Sequence, residues 1–226
     1  MDIDLVYLWV DGSDPKWLAK HNACIGKTEE KSTVNCKGRY ADNDELKYSL
    51  RSVGMYAPWV RKVFIVTDSQ TPEWLDTSNP KVKVVDHKEI MPEVCLPCFN
   101  ATVIEHFLWK IPGLSEHFLF ANDDMLINRP LPTPALPIIR LNHSGLRNFY
   151  LQFKKKLLGI QFKNYVQIVY NAAKLVEREY GVFYGCKTHH NIDAYLKSDY
   201  QRIEEMFKEE IEPTLGNHVR SENDIQ

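Results

Sequence analysis

No run of about 18 apolar residues occurs in the 226-residue chain, so the sequence holds no candidate membrane-spanning helix. An excess of one charge is also missing. Lys and Arg total 28 against 30 Asp and Glu, a balance that gives no global attraction for nucleic acid. Cysteine is sparse and irregular: Cys24, Cys36, Cys95, Cys98 and Cys186 are an odd number without the spacing of a disulfide framework. Cys95-Leu96-Pro97-Cys98 has the form of a metal or redox pair, yet no second Cys or His pair lies at zinc-ribbon spacing. No internal repeat is evident, and the acidic start Met1-Asp2-Ile3-Asp4 runs straight into a strand, unlike a secretory leader. A cytoplasmic location is therefore expected, and the sequons at Asn100 and Asn142 then carry little meaning. What remains is an ordinary globular composition, 44% apolar and 26% charged, in a chain long enough for one α/β domain.

Residues 3–10 (IDLVYLWV) form a β-rich apolar run that stops at Asp11-Gly12-Ser13-Asp14-Pro15, a buried strand ending in a turn. Residues 19–38 are polar and aperiodic, which predicts a mobile loop. Asp42 with Glu45 three residues on reads as a capping box, followed by the apolar stripe Leu46, Leu50, Val53. Residues 63–67 and 82–85 are further strands, and Thr71-Pro72 predicts a short helix between them. Asn100 is placed to cap a helix running to Ile111, and residues 117–121 form a fourth strand ending at Asn122-Asp123-Asp124. Residues 130–143 read as a proline-rich connector, about 145–180 as helical, and 202–211 as an acidic helix. Strands alternating with helices predict a mostly parallel sheet with helices on both faces, and ligands bind such sheets beyond the carboxyl ends of the strands.

Asp11, Asp68, Asp123 and Asp124 all follow strands, so this topology could gather them along one edge. Adjacent carboxylates after an apolar strand are costly unless solvated, hydrogen-bonded or metal-bound. Asp123 and Asp124 suit a hard cation such as Mg²⁺ or Mn²⁺ shared with a diphosphate, and equally suit a turn with an Asx cap. Asp11 fits either a nucleotide contact or a plain Asp-Gly turn. Arg39 and Arg51 are phosphate candidates or solvated surface arginines. Asp68, Glu105 and His106 are lone titratable groups, and His190 has the chemistry of a general base. The basic stretch 147–163 offers peripheral contact with a membrane surface, or a solvated helix face.

These residues fall into blocks that resemble the Stealth family. The first is DLVYLWVDGSDP at 4–15; the second runs through RYADNDELKYSLRS at 39–52, YAPWVRKVFIVTD at 56–68, PEWL at 72–75, LPCFN at 96–100, Ile104-Glu105, GLSE at 113–116 and NDDM at 122–125. KTHHNID at 187–193 is similar to the family's H-x-P-H-x-x-D segment, with Lys187 where a first His is expected, and NHVRSENDIQ at 217–226 is similar to the end of that block. The resemblance implies a glycosyltransferase-A-like α/β fold and transfer of hexose- or N-acetylhexosamine-1-phosphate from a UDP-sugar to a hydroxyl of a polysaccharide or lipid-linked glycan, with UMP released. It implies Mg²⁺ or Mn²⁺ on Asp123 and Asp124, and substrate contacts from Asp11, Gly12, Arg39, Asn43, Arg51, Asp68 and Asn122. His189, His190, Arg220, Asp224 and Glu45 become the catalytic candidates. The expected layout is a nucleotide-sugar and metal core at 1–130, a variable acceptor-side helical region at 131–186, and a completing block at 187–226, in the cytoplasm or at the inner face of the cell membrane. Two other readings stay open: a conventional UDP-sugar glycosyltransferase that releases UDP, and a non-catalytic sugar-nucleotide or polysaccharide-binding protein.

Overall fold

The structure, a computed structural model, describes residues 1–25, 37–132, 165–182 and 192–226, with backbone alone at 37, 39, 165 and 166. Its centre is a sheet of five strands: β1 (Ile3–Leu8), β2 (Val63–Thr67), β3 (Val82–Asp86), β4 (His117–Asn122) and β5 (Asp193–Leu196), in the order β3-β2-β1-β4-β5. The first four are parallel and β5 runs antiparallel against β4. Leu8 registers with Val66 on one side and Asn122 on the other, so β1, β2 and β4 finish together. The antiparallel pairing of Asp193 with Phe120 brings the start of β5 to that same edge.

Alternate side chains of the buried strands feed two cores, as a sheet covered on both faces requires. Val6, Phe64, Val66, Val85, Phe118 and Phe120 face one layer, which includes α3 (His87–Ile90) and α4 (Ala101–Glu105). Leu5, Tyr7, Ile65, Leu119 and Ala121 face the other, where α2 (Glu45–Tyr56) contributes Leu46 and Val53. Both thiols of Cys95-Leu96-Pro97-Cys98 are free and buried in the first core, and burial pushes the Cys98 thiol up to about 12. That pair packs the interior, where burial keeps both thiols protonated.

Four local readings change. The expected mobile loop begins as a helix, α1 (Pro15–Cys24): Asp14 accepts from the Lys16 amide at 2.8 Å, Pro15 occupies the first turn, and Trp17 and His21 supply a buried i, i+4 pair. Residues 26–36 lie outside the described residues. Helix α2 starts at Glu45, not near Asp42, because Asp44 adopts a left-handed φ of 67° and turns the chain just before it. Thr71-Pro72 opens a pair of turns closed by Leu75 N–H to Pro72 O and Asn79 N–H to Asp76 O, with no helix there. Asn100 does cap its helix through Thr102 N–H, but α4 ends at Glu105 and resumes as a 3₁₀ turn at Leu108–Lys110.

The carboxyl end of the molecule continues from β5 into α6 (Lys197–Met206) and α7 (Lys208–Ile211), and α5 (Tyr165–Tyr180) packs against the final segment. Asn171 of α5 donates to the carbonyls of Glu222 and Asp224, each at 2.9 Å. Among the described residues, no helix is long and apolar enough to cross a membrane. The basic stretch 147–163 lies outside them.

One set of bonds fixes the segment after β4. The Tyr7 hydroxyl and Ser49 Oγ lie 2.7 Å apart, Ser49 Oγ donates to the Met125 carbonyl, and Ile127 N–H donates to Ser52 Oγ at 3.0 Å. Both serines are buried on α2. Ser49→Ala leaves the Tyr7 hydroxyl and the Met125 carbonyl without this partner, and it is expected to lower stability by about 1–3 kcal/mol in urea titration.

Candidate functional site

Three strands ending level place the segments that follow them along one rim, and those after β1 and β4 bring Asp11, Asp123 and Asp124 to it. Asp123 and Asp124 follow β4 directly, in a turn closed by Met125 N–H to Asn122 O at 3.1 Å. Burial raises the Asp123 carboxyl to about 6, and the charges of Asp124, Glu45 and Asp42 add to the rise. Asp42 is itself pushed up, first by burial and then by Glu45 and Asp11. Asp11, Asp42, Glu45, Asp123 and Asp124 therefore act on one another as a single electrostatic group. Its charge reaches Tyr7 beneath, whose hydroxyl burial lifts to about 12 with Asp123 adding to the shift.

Each member of the group is held by its own scaffold. Asn43 donates to Glu45 from its backbone at 2.6 Å and from its side chain at 2.9 Å, which keeps that carboxylate ionised. Asp11 Oδ1 accepts from Ser13 N–H at 2.8 Å and from Ser13 Oγ at 2.6 Å, so its side chain stabilises the Asp-Gly turn expected as its plainer role. Buried Gln70 crosses from the end of β2 and bonds both the amide and the carbonyl of Asp11, at 3.1 and 2.9 Å. Gly12 lies so close to Tyr40 that its N–H reaches the Tyr40 carbonyl at 2.8 Å. A Cβ on Gly12 would stand 2.4 Å from that oxygen. Tyr40 belongs to a buried aromatic cluster with Trp17, His21 and Phe99, so the Gly12 turn rests on a rigid base.

On the other side of β4, Glu105 closes α4. Burial raises its carboxyl to about 7, the Arg220 guanidinium opposes the rise, and Asp193 adds to it. Gln226 donates to it at 3.3 Å. From the sequence Glu105 reads as an isolated group and Asp193 has no role. The missing information is topological, since antiparallel β5 and the docked final segment bring Asp193 and Arg220 to it from far along the chain.

The remaining candidates separate. Asp224 is fully buried, and its carboxylate accepts from Asn100 Nδ2 at 2.8 Å, Asn217 Nδ2 at 2.6 Å and Ser221 N–H at 2.9 Å. It therefore pins the segment carrying Arg220; a substrate could not reach it. Asp68 is only 7% exposed and ion-paired with Lys20, which withdraws it from the rim. Arg51 stands on the exposed side of α2, its guanidinium 5.5 Å from the Tyr48 ring. The Arg39 side chain, His189 and His190 lie outside the described residues.

A divalent cation fits the chemistry of the rim in part. Two adjacent carboxylates, one raised by burial and then by its acidic neighbours, are the oxygen donors that Mg²⁺ or Mn²⁺ would take, with water and a diphosphate left to complete the shell. Among the described residues, no three His, Cys, Asp or Glu side chains converge as a preformed cage.

Comparison with known proteins bears on this arrangement. Stealth protein conserved region 1 matches residues 1–29 and conserved region 2 matches residues 39–136. The chain is 35% identical over 99% of its length to a capsular polysaccharide phosphotransferase of Actinobacillus pleuropneumoniae, covering 62% of that protein. It is 38% identical over 99% of its length to an exopolysaccharide phosphotransferase of Streptomyces coelicolor, covering 24% of it. The chain thus spans between about a quarter and three fifths of these relatives. A galactosyltransferase solved with donor and acceptor sugar analogues is similar over 97% of this chain and 68% of that one, at 12% identity and a TM-score of 0.45, too distant to bear on function.

Two outcomes are expected from this geometry. Asp123 has a folded pKa of about 6 against 3.8 when unperturbed, so it favours the fold in its neutral form and that contribution is lost as pH rises through 6. Asp123→Asn should therefore stabilise the metal-free protein by about 1–2 kcal/mol at neutral pH after allowing for solvent screening, and not below its unperturbed value, as read by thermal unfolding across pH. Gly12→Ala should destabilise by about 1–3 kcal/mol, because Tyr40 is backed by packed rings and cannot retreat.

Proposed function

The chain belongs to the Stealth family, and from that premise we propose that it transfers a hexose- or N-acetylhexosamine-1-phosphate from a UDP-sugar to a hydroxyl of a glycan acceptor. The observation that supports this reading is the cluster of carboxylates around Asp123, whose own carboxyl burial and its acidic neighbours push up, a setting suited to a cation and, through it, an anionic ligand. A nucleotide diphosphate-sugar is such a ligand, and the names of the relatives add phosphotransfer in capsular and exopolysaccharide synthesis.

In the proposed step the acceptor oxygen attacks the β-phosphorus. A new P–O bond forms there, the bond from the β-phosphorus to the bridging oxygen breaks, and UMP leaves with that oxygen and the bond's electrons. Mg²⁺ or Mn²⁺ on Asp123 and Asp124 would supply charge neutralisation at the diphosphate. Glu45, fixed by Asn43, and Asp11, fixed by Gln70 and Ser13, complete the acidic rim and orient what it binds. Arg220 provides a positive group for developing phosphate charge, and Asp224 together with Asn100 holds its segment in place. Glu105, held near 7, takes the acceptor proton on its carboxylate oxygen at neutral pH. His189 and His190 remain candidates for that proton. In-line phosphoryl transfer asks mainly for positioning and charge neutralisation, which matches a site built from fixed carboxylates and one arginine.

The test is incubation of the chain with UDP-N-acetylglucosamine, Mg²⁺ and an oligosaccharide acceptor, followed by ³¹P NMR and nucleotide analysis. A phosphodiester resonance with stoichiometric UMP is expected, and Asp124→Asn should reduce the rate about 10²–10³-fold. Release of UDP would replace this reading with glycosyl transfer. Donor binding without turnover across several acceptors would leave a binding protein.

A further inference from the structure

We propose that the outer face of α2 is a subsite for an anionic glycan chain, the acceptor strand leading away from the carboxylate rim; this rests on the transferase reading above. Helix α2 turns Leu46, Ser49, Ser52 and Val53 inward. Its other side carries one cation–aromatic pair and supplies the cation of a second. The Arg51 guanidinium lies 5.5 Å from the Tyr48 ring, and Lys47 Nζ lies 5.9 Å from the Trp74 ring. Tyr48 is 54% exposed and Met55 67%, large side chains that gain nothing from the core.

Three properties of this face converge on a charged sugar polymer. An exposed aromatic ring stacks on the C–H face of a pyranose, and a guanidinium beside it meets an anionic substituent. The charge is complementary: a polymer extended by sugar-1-phosphate units carries one phosphodiester charge per unit, and this face presents the exposed Arg51 guanidinium. Asp44, just before the helix, pairs with Lys47 at 3.5 Å. The face is also continuous with the rim. Tyr48 follows Glu45 by less than one helical turn, Leu126, 62% exposed, stands two residues beyond Asp124, and Ser49 ties these two segments together. A strand whose terminal hydroxyl reaches the carboxylates therefore has its preceding units over Tyr48 and Arg51.

The experiment titrates the chain, without nucleotide sugar, with a synthetic phosphodiester-linked N-acetylhexosamine hexamer, using heparin as an unrelated polyanion. The hexamer should bind, and Tyr48→Ala and Arg51→Gln should each weaken it about tenfold. Tyr48→Trp should retain binding, and heparin should bind without sensitivity to position 48. Thermal midpoints check that the variants fold, and Met55→Glu offers an independent probe of the same face. Hexamer affinity unmoved by all these changes, or heparin matching the hexamer in affinity and in sensitivity to Tyr48, would overturn the subsite. The two proposals fail separately: UDP in place of UMP sinks the phosphotransfer reading with hexamer binding intact. UMP release with variant-insensitive hexamer binding sinks the subsite alone.

Discussion

Repulsion among the carboxylates at the rim of the sheet is the constraint on which the rest of the site depends. Two like charges about 4 Å apart near a protein surface oppose each other by about 4 kcal/mol, and Asp123 meets three acidic neighbours while partly removed from water. A fold that assembles such a group must hold its members with neutral hydrogen bonds from below. Tyr7, Ser49 and Ser52 do this for the segment after β4, Gln70 for the Asp11 turn, and Asn43 for Glu45. None of these supports adds positive charge to the rim.

The opposite flank of β4 is organised differently. There a positive group, Arg220, belongs to a segment that has little secondary structure of its own, and Asp224 holds that segment through three donors in a position closed to solvent. Asn100 is the hub: it caps α4 through Thr102 and reaches Asn217, Val219 and Asp224 with its amide nitrogen. The cap of the helix that presents Glu105 and the clasp of the segment that presents Arg220 are thus one side chain. Any displacement of the final segment moves the raised carboxyl and its opposing guanidinium together.

Strands were legible from apolar runs because a doubly covered parallel sheet buries whole strands, and Val63 to Thr67 is buried throughout. The acidic rim was legible for the same reason, since strand ends fix where Asp11, Asp123 and Asp124 emerge. Helix starts were less so. Asp42 with Glu45 satisfies a capping box on paper, but the left-handed turn at Asp44 uses these residues to build the site. Asp14-Pro15 carried a sound start signal, hidden by the polarity of the residues downstream of it. The Glu105, Asp193 and Arg220 grouping was out of reach, because it depends on strand order and on docking between distant segments. Asp224 shows the converse: a motif position identifies a residue that matters without telling contact from support.

Helix α2 unites these layers. Its inner face grips the loop of Asp123 and Asp124, its first residue is Glu45, and its outer face carries Tyr48 and Arg51. A helix is stiff over three turns, so a ligand held on the outer face and a diphosphate held at the rim would have a fixed separation set by backbone geometry. Such pre-organisation moves the entropy of alignment from the reaction step into folding. The arrangement also explains why the helix begins in a strained turn: starting at Glu45 sets that carboxylate against Asp123 and, less than a turn later, Tyr48 on the solvent side. A helix begun at Asp42 in an ordinary box would carry Glu45 on to N3, committed to its own cap and unable to face the rim.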